Sequence, residues 1–284
     1  MLSFEQGTSS LFHAAKSYSN CQQNLATENL TLFLHCFSKG HEALQQIALQ
    51  TITDILITHP SLLSQPNSTT GEEEAEPNPF IKPTHKLYSR AISSPSVQLS
   101  ATATIGLSKL LLTQILPYPD DLLKTLTLAF LDPETETNSG MRQALSYFLP
   151  VYCHSRAENA VRMARLAVSI IGAVIDRVEE EEVDLDGGKE GIGAVAVGGM
   201  LSDWCDPRKV VGADEGKEAV KEDGLNAHAA LAEEILEKLL TPGTSSKYLY
   251  LLQVYHLTNT LYRRGSKAIY FNAFKDLCGA IYTT

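Results

Sequence analysis

Apolar residues recur at helical spacing along most of the chain, whereas the alternation typical of strands is rare. Leu145, Phe148, Leu149 and Tyr152 occupy positions i, i+3, i+4 and i+7 of one run, which places them on one face of a helix. The segment 25–37 repeats this spacing, and short breaks rich in Pro, Gly, Ser or Asp separate the periodic runs. The pattern therefore predicts an all-α protein of about ten helices.

The ends of the predicted helices follow from local signals. Asp132-Pro133 ends one helix, since the residue before proline disfavours helical geometry, and Ser96 is a suitable N-cap for another. Pro150 lies inside the run Met141–Tyr152 and is expected to kink that helix or end it early. In chain order the predicted helices are Leu25–Phe37, His41–Ile57, Thr84–Ile92, Val97–Leu116, Asp121–Leu131, Met141–Tyr152, Ala157–Val178, Leu225–Leu240, Ser246–Tyr262 and Lys267–Ile281.

Neighbouring helices are predicted to form antiparallel pairs. Only three residues, 38–40, lie between the first two predicted helices, and helices joined by about three residues pack antiparallel. The second helix of successive pairs begins near His41, Ser96 and Gly140, a spacing of about 45 to 55 residues that suits HEAT or armadillo units. We therefore expect one HEAT-type α-solenoid over residues 1–284, with each repeat burying its apolar face on its neighbours. An irregular helical bundle is the alternative.

The net charge of −10 is unevenly distributed. Ten carboxylates fall between Glu72 and Glu76 and between Glu179 and Asp186, within two predicted acidic loops at about 65–79 and 179–199. Without those ten, 23 carboxylates remain against 23 Lys and Arg residues, so the predicted folded body is neutral. Phe80–Pro119 contains no acid, and so local basic regions are expected despite the overall negative charge.

No motif for catalysis, metal binding or cofactor binding emerges from the chain. The five cysteines are widely spaced, form no CxxC pair and follow no secretory signal, which favours reduced thiols in an intracellular protein. The stretch 212–218 has too few residues between its glycines for a phosphate loop and ends in Glu218 where Ser or Thr would hold magnesium. Cys153-His154 lacks the further convergent groups that zinc or a nucleophile requires. We therefore predict no enzyme, no metal site and no cofactor.

Basic residues in acid-poor segments are the candidate contacts for nucleic acid. The first group repeats every fourth residue and shares a helix face if the helix includes Lys82, which Pro83 leaves open. The second group is an i, i+3 pair. The third group, Arg263, Arg264 and Lys267, lies at a helix junction, and Lys247 lies in the same basic C-terminal segment. Contacts to phosphate would be salt-dependent and would not read base sequence. The alternative is an ordinary solvated surface. The candidates are Lys82, Lys86, Arg90, Arg162, Arg165, Lys247, Arg263, Arg264 and Lys267.

Four aromatic residues are candidate contacts for a protein partner. Tyr147, Phe148 and Tyr152 lie in one predicted helix, and Trp204 is the single tryptophan of the chain. Aromatic side chains are enriched at the energetic centres of interfaces. Packing in the protein core is the alternative for all four.

Three segments together resemble the condensin subunit 3 family, also called CAP-G, in its C-terminal HEAT-repeat region. They are Ala48–Pro60 (ALQTITDILITHP), the stretch from Leu131 to Tyr152 that contains LDPET and RQALSYFLPVY, and Leu201–Arg208 (LSDWCDPR). None of the three is a catalytic motif, and the resemblance rests on their joint occurrence in this order. Members of the family are much longer, so the resemblance implies that the chain looks like a C-terminal piece of such a subunit.

The resemblance implies a non-enzymatic subunit of the condensin complex. Such a subunit binds the kleisin subunit CAP-H, assembles with the other condensin subunits and helps the complex to hold double-stranded DNA during mitotic chromosome condensation. It implies a location in the nucleus and on chromosomes, with a pool in the cytoplasm. The competing hypothesis is a HEAT or armadillo adaptor or transport scaffold that binds peptides and no nucleic acid.

Overall fold

The structure is a computed structural model that describes residues 22–64, 78–180, 193–212 and 226–241. The regular elements among those residues are helices, and no strand occurs among them, which confirms the predicted all-α class. Residues 22–39 form α1. The remaining helices are α2 (Glu42–Thr58), α3 (Ile81–Ile92), α4 (Val97–Leu112), α5 (Asp120–Leu131), α6 (Ser139–Ser155), α7 (Ala157–Glu180), α8 (Ala194–Trp204) and α9 (Ala227–Leu240).

The chain divides into two compact units. Unit 1 comprises Met1–Leu122 and unit 2 comprises Leu123–Thr284. Within unit 1, α4 packs against both α2 and α3, and within unit 2, α7 packs against α6, α8 and α9. The single continuous solenoid expected over residues 1–284 stays a prediction.

A close approach between α2 and α4 organises the core of unit 1. The hydroxyls of Thr53 and Tyr88 lie 2.7 Å apart in the interior, and Thr53 Oγ1 also donates to the carbonyl of Leu49 at 2.8 Å. A Cβ on Gly106 would stand 2.7 Å from Thr53 Oγ1. Gly106 therefore lets the two helices approach closely while Tyr88 reaches its buried partner from α3.

The core of unit 2 is aliphatic and is centred on α7. Ile170, Ile171 and Ile175 of α7 are almost fully buried, as are Leu231 and Ile235 of α9. These positions repeat at helical spacing and form the inward face that the periodicity predicted. Burial of this face, more than helix propensity, stabilises helices in a packed protein.

Two helix ends differ from the sequence prediction at prolines. α3 begins at Ile81 rather than Thr84, so that Pro83 falls in its first turn, where the missing N–H of proline costs no hydrogen bond. α6 continues through Pro150 to Ser155, and the expected early end is wrong. Leu149, Tyr152 and Cys153 are buried on the inner face of α6, and their packing holds the turn that Pro150 weakens.

The second predicted acidic loop is shorter than expected where the structure describes it. α7 extends to Glu180 and α8 begins at Ala194, so both ends of the predicted loop 179–199 are helical. Residues 65–77, most of the first predicted loop, lie outside the described residues, as do the predicted helices Ser246–Tyr262 and Lys267–Ile281. Within the described ranges, no helix combines the length and apolar character needed to cross a membrane.

Candidate functional site

Lys82, Lys86 and Arg90 form the α3 basic face. All three lie within α3 and are exposed, because the helix begins early enough to include Lys82. Thr84, Leu87 and other residues on the opposite side of α3 are buried, which directs the three cations to solvent. No carboxylate among the described residues lies within 4.0 Å of these cations. The α3 basic face thus presents three positive charges without an ion-pair partner in the part of the chain that the structure describes.

Four exposed aliphatic residues form a second surface in unit 1, which we call the α2–α4 apolar surface. The exposed fractions are 57% for Ile47, 49% for Val97, 47% for Ile105 and 39% for Leu112. A hydrogen bond of 3.2 Å from Gln46 Nε2 to Thr102 Oγ1 joins α2 to α4 at this surface. Ile47 follows Gln46 directly, and Ile105 lies one helical turn beyond Thr102, so the two aliphatic side chains flank the seam between the helices.

The sequence analysis missed the α2–α4 apolar surface. The available signal was the composition of α4, VQLSATATIGLSKLLL, which carries Lys109 as its one charged residue. A surface helix ordinarily carries charged and polar residues on the face opposite its apolar stripe. Val97, Ile105 and Leu112 on the outer side of α4 depart from that pattern.

Three of the four aromatic candidates belong to the core of unit 2. The exposed fractions of Phe148, Tyr152 and Trp204 are 2%, 1% and 6%. The rings of Phe148 and Tyr152 pack with centroids 5.5 Å apart, and Trp204 lies 6.1 Å from the ring of Phe130. A partner cannot reach these rings in this structure. Tyr147, at 73% exposed, is the one of the four that presents its ring to solvent.

The segment of strongest resemblance builds a junction at the C-terminal end of α5. Arg142 Nη1 donates to the carbonyl of Phe130, and its guanidinium lies 5.2 Å from the centroid of the Phe130 ring. Arg177 of α7 donates to the carbonyl of Leu131 at 3.2 Å. Carbonyls at a helix C-terminus have no partner within the helix and attract cations. The two arginines therefore join α6 and α7 to the end of α5.

The LSDWCDPR segment builds a second junction, after α8. Asp206 is 3% exposed, and its carboxylate accepts bonds from the backbone N–H of Arg208 at 3.0 Å and from the guanidinium at 2.6–3.2 Å. Burial alone would raise the pKa of Asp206, but the hydrogen bonds and charge of Arg208 hold that pKa below its usual value. The segment thus closes a turn stabilised by a charge-assisted, two-pronged contact.

A buried histidine supports the same junction from α9. His228 Nε2 lies 2.9 Å from the carbonyl of Ser202, and because a carbonyl only accepts, the nitrogen carries the proton. Burial lowers the pKa of His228 despite that hydrogen bond and the nearby carboxylate of Asp206, both of which favour the charged ring. His228 is therefore a neutral donor that joins α9 to α8.

Arg162 and Arg165 do not form a shared basic surface. Arg162 is half-buried, and its Nη1 donates to the hydroxyl of Tyr152 at 3.1 Å. Arg165 is exposed and lines a groove of about 500 Å³ between α5, α7 and α9, where acidic residues including Glu234 and Glu237 alternate with cations. Burial, then the neighbouring Glu237, raise the pKa of Glu234, while Arg165 opposes the shift. The mixed charge of this groove gives phosphate no net attraction.

The remaining candidates lie outside the described residues. They are Lys247, Arg263, Arg264 and Lys267. Within the described ranges, no cluster of three or more His, Cys, Asp and Glu side chains could hold a metal ion. Burial raises the pKa of the Cys153 and Cys205 thiols, which keeps them protonated and unreactive.

Comparison with known proteins gives consistent matches. The model of the C-terminal domain of nuclear condensing complex subunits (Cnd3) matches residues 13–257. Condensin complex subunit 3 of Schizosaccharomyces pombe is 30% identical over 236 residues, which cover 80% of this chain and 24% of that protein. Condensin complex subunit 3 of Saccharomyces cerevisiae is 28% identical over 199 residues, which cover 66% of this chain and 18% of the relative. The chain thus spans about a quarter or less of each relative.

A solved structure shares the fold. The crystal structure of the S. pombe condensin Cnd3–Cnd2 subcomplex matches with a TM-score of 0.63 and 23% sequence identity, over 87% of this chain and 32% of the solved chain. This likeness confirms the HEAT-type helical architecture that the sequence predicted.

Proposed function

The chain belongs to the family of nuclear condensing complex subunits, in their C-terminal domain, and on this basis we propose that it is a non-enzymatic condensin subunit that binds a kleisin segment and the DNA backbone. Its place of action would be the nucleus and mitotic chromosomes. The observation that carries the DNA part of the proposal is the α3 basic face, Lys82, Lys86 and Arg90, whose charges point to solvent without an acidic partner among the described residues.

The spacing of the α3 basic face suits contacts with phosphate. Residues four apart on a helix rise by about 6 Å, so the three cations form a row along one side of α3 that can follow a phosphate backbone. Lys and Arg at such positions bind the backbone without reading bases. Each neutralised phosphate releases counterions, and so the proposed binding weakens as salt rises.

The α2–α4 apolar surface supports the kleisin part of the proposal. Four aliphatic side chains that are exposed in unit 1 would be removed from water by a bound segment, which favours association. Tyr147 is the corresponding exposed aromatic residue of unit 2, at 73%. A partner segment with apolar side chains facing Ile105 and an acid facing Lys109 fits the chemistry of this surface.

DNA binding is tested by charge reversal on the α3 basic face. Fluorescence polarisation with a labelled duplex would compare the full chain with Lys82→Glu/Lys86→Glu/Arg90→Glu, with and without the kleisin segment. Loss of three phosphate contacts at about 0.1 M salt predicts a decrease in affinity of about a hundredfold or more. The control is Lys39→Glu/Arg156→Glu/Lys209→Glu, which changes net charge equally at exposed positions outside both proposed surfaces. Equal losses in both variants would show that net charge, and not the α3 basic face, governs binding.

Kleisin binding is tested on the α2–α4 apolar surface. Ile105→Glu places a charge at the centre of the α2–α4 apolar surface. It should lower the affinity for a kleisin segment by about tenfold to a hundredfold, as truncation of a residue at the centre of an interface does. Leu25→Glu is the control, since Leu25 is 58% exposed and lies on α1. Isothermal titration calorimetry would measure both. Unchanged affinity of Ile105→Glu would exclude this surface as the kleisin site.

The peptide-binding adaptor remains the alternative because the α2–α4 apolar surface alone would also serve such a protein. The adaptor hypothesis predicts that Ile105→Glu weakens the binding of a peptide partner, whereas charge reversal of the α3 basic face leaves that binding unchanged. Salt-independent partner binding with no measurable DNA affinity would favour this adaptor.

A further inference from the structure

Tyr118 is an exposed aromatic residue in an unusual backbone conformation. It lies between α4 and α5, is 69% exposed and has a φ angle of 49°. This angle lies in the left-handed region, which bulky side chains rarely adopt, and Pro119 disfavours it further because a residue before proline prefers extended geometry. Such conformations persist where the surroundings hold them, and they cluster at ligand-binding sites. Tyr118 is therefore a candidate contact for a ligand.

The loop that carries Tyr118 is fixed against α3 by a hydrogen bond. His85 Nε2 lies 2.9 Å from the carbonyl oxygen of Pro117, and since a carbonyl only accepts, this nitrogen carries the proton. His85 belongs to α3 and lies between Lys82 and Lys86 in sequence. Tyr118 follows Pro117 directly, so its backbone lies one peptide unit from the contact. The hydrogen bond thus places Tyr118 beside the half of α3 that carries these two lysines.

The ring of Tyr118 is held in place and open to solvent. Among the described residues, no hydrogen bond or ring contact involves its side chain. Pro117 and Pro119 flank it, and the fixed φ of each proline limits the motion of the loop. A group that is already ordered loses little conformational freedom when a ligand binds. The ring therefore suits a flat ligand that covers its exposed face.

The charges beside Tyr118 differ from those along α3. Asp120 and Asp121 are exposed in the first turn of α5, two and three residues after Tyr118, and their carboxylates repel phosphate. The α3 basic face attracts phosphate instead. A nucleotide at this place would therefore put its backbone over Lys82 and Lys86 and its uncharged base against Tyr118.

We propose that Tyr118 is a stacking platform for an unpaired base of single-stranded DNA whose phosphates bind the α3 basic face. Proteins that bind single strands combine a basic track for the backbone with aromatic side chains on which bases stack. The bases of a closed duplex cover one another, so the contact favours single-stranded ends, gaps and loops. Every base has a flat face, and the contact does not depend on sequence. The proposal rests on the DNA binding proposed above for the α3 basic face.

The test compares single-stranded with duplex DNA of the same sequence. Fluorescence polarisation would follow each labelled ligand with the full chain and its kleisin segment. Tyr118→Asn removes the ring and tolerates the left-handed conformation, whereas Tyr118→Phe keeps the ring and removes only the hydroxyl. We expect single-strand affinity to fall about fivefold or more in Tyr118→Asn and to stay within about twofold of the wild type in Tyr118→Phe. Duplex affinity should change in neither variant.

A second readout locates the contact directly. On irradiation, single strands that carry iodouracil form crosslinks with aromatic side chains on which the base stacks, and tandem mass spectrometry would identify the crosslinked residue. We expect Tyr118 as the main crosslinked residue of the wild-type chain, with a lower yield after charge reversal of the α3 basic face. Circular dichroism would show that the Tyr118 variants keep their helical content.

The outcomes separate this proposal from the function on which it rests. Unchanged single-strand affinity in Tyr118→Asn, an equal loss in Tyr118→Phe, or no crosslink at Tyr118 overturns base stacking. An equal loss for duplex and single strand in Tyr118→Asn also overturns it, because a closed duplex offers no unpaired base. If charge reversal of the α3 basic face still lowers duplex affinity in these cases, DNA binding by α3 stands alone. If charge reversal changes the affinity for neither ligand, DNA binding by α3 is overturned and this proposal with it.

Discussion

Unit 1 and unit 2 use their distinctive residues in different ways. In unit 2, the segments that resemble the condensin family supply Arg142 to cap α5, Asp206 to close the turn after α8, and Trp204 to the core. In unit 1, the cations of α3 and the aliphatic side chains of α2 and α4 remain exposed. The resembling segments of unit 2 thus hold helices together, whereas the proposed binding residues of unit 1 lie outside the segments that resemble the family.

The comparison separates two kinds of signal in a helical repeat protein. A junction needs particular side chains at particular positions, because an unpaired buried carbonyl or carboxylate costs more than a lost surface contact. A surface that binds a phosphate backbone needs charge in about the right place and tolerates many arrangements. The motifs that resemble the family therefore lie at junctions between helices, whereas the binding residues must be identified from their exposure and charge.

Removal of the Arg142 side chain should give the largest effect in unit 2. Arg142→Ala removes the bond to the Phe130 carbonyl and the stacking on the Phe130 ring, and we expect unit 2 to lose about 2–4 kcal/mol of stability. The ion pair with Glu136, at 3.9 Å and with Glu136 75% exposed, adds little. Urea unfolding followed by fluorescence of Trp204, which packs near Phe130, would measure the loss.

A lysine at the same position sharpens that test. Arg142→Lys keeps the charge but cannot stack and donate as a planar guanidinium does, so it should restore less than half of the loss. DNA affinity at low denaturant should match the wild type in both variants. Full rescue by lysine would show that charge alone, and not the geometry of the junction, stabilises the end of α5.

A methyl group on Gly106 should destabilise unit 1 by a smaller amount. In Gly106→Ala the new Cβ would lie 2.7 Å from Thr53 Oγ1, and overpacking of this kind costs about 1–3 kcal/mol. Urea unfolding followed by the helical circular-dichroism signal should have its midpoint at a lower urea concentration. The midpoint followed by the fluorescence of Trp204 in unit 2 should change less. Ala101→Gly, on the half-buried side of the same helix, controls for helix propensity. A shift of the Trp204 transition as large as that of the helical signal would contradict separate packing of the two cores.

The smallest expected effect is a pH dependence in unit 2. An unfolded histidine titrates near 6.5, whereas burial lowers the pKa of folded His228. The stabilisation from neutral His228 is therefore complete above about pH 6.5 and declines as pH falls toward the folded pKa. His228→Gln should remove that slope below about pH 6.5 in urea titrations that follow Trp204. Parallel pH profiles of variant and wild type would contradict this role.

Much of the fold could be predicted from the sequence because the apolar period is regular. Eight predicted helices appear with ends within about four residues of their expected bounds, since burial of one face fixes their existence and much of their extent. The continuation of α6 through Pro150 could not be predicted, because the sequence does not show that the packing of buried neighbours outweighs one lost backbone hydrogen bond. Whether Phe148, Tyr147 and Trp204 are buried or exposed could not be predicted either. The apolar period shows which residues share a helix face, but not which neighbouring helix covers that face.

The candidate site was predictable only in its charged part. Lys82, Lys86 and Arg90 are four residues apart and share a face only if the helix includes Lys82. The sequence leaves this open because of Pro83, and the structure settles it because α3 begins at Ile81. Ile105 and Leu112 belong to a run of apolar residues in α4, and sequence alone assigns such residues to the core. Their exposure depends on packing against α2 and α3, which only the structure gives.

The salt dependence of DNA affinity tests the contrast between the two units most directly. For the full chain with its kleisin segment, log affinity against log salt concentration would be compared with Lys82→Gln/Lys86→Gln/Arg90→Gln in unit 1 and Arg165→Gln/Lys209→Gln/Lys238→Gln in unit 2. If the α3 basic face neutralises three phosphates, the magnitude of the slope falls by about 2.7 in the unit 1 variant and stays at the wild-type value in the unit 2 variant. An unchanged slope in the unit 1 variant, or an equal fall in both, would contradict DNA binding through α3.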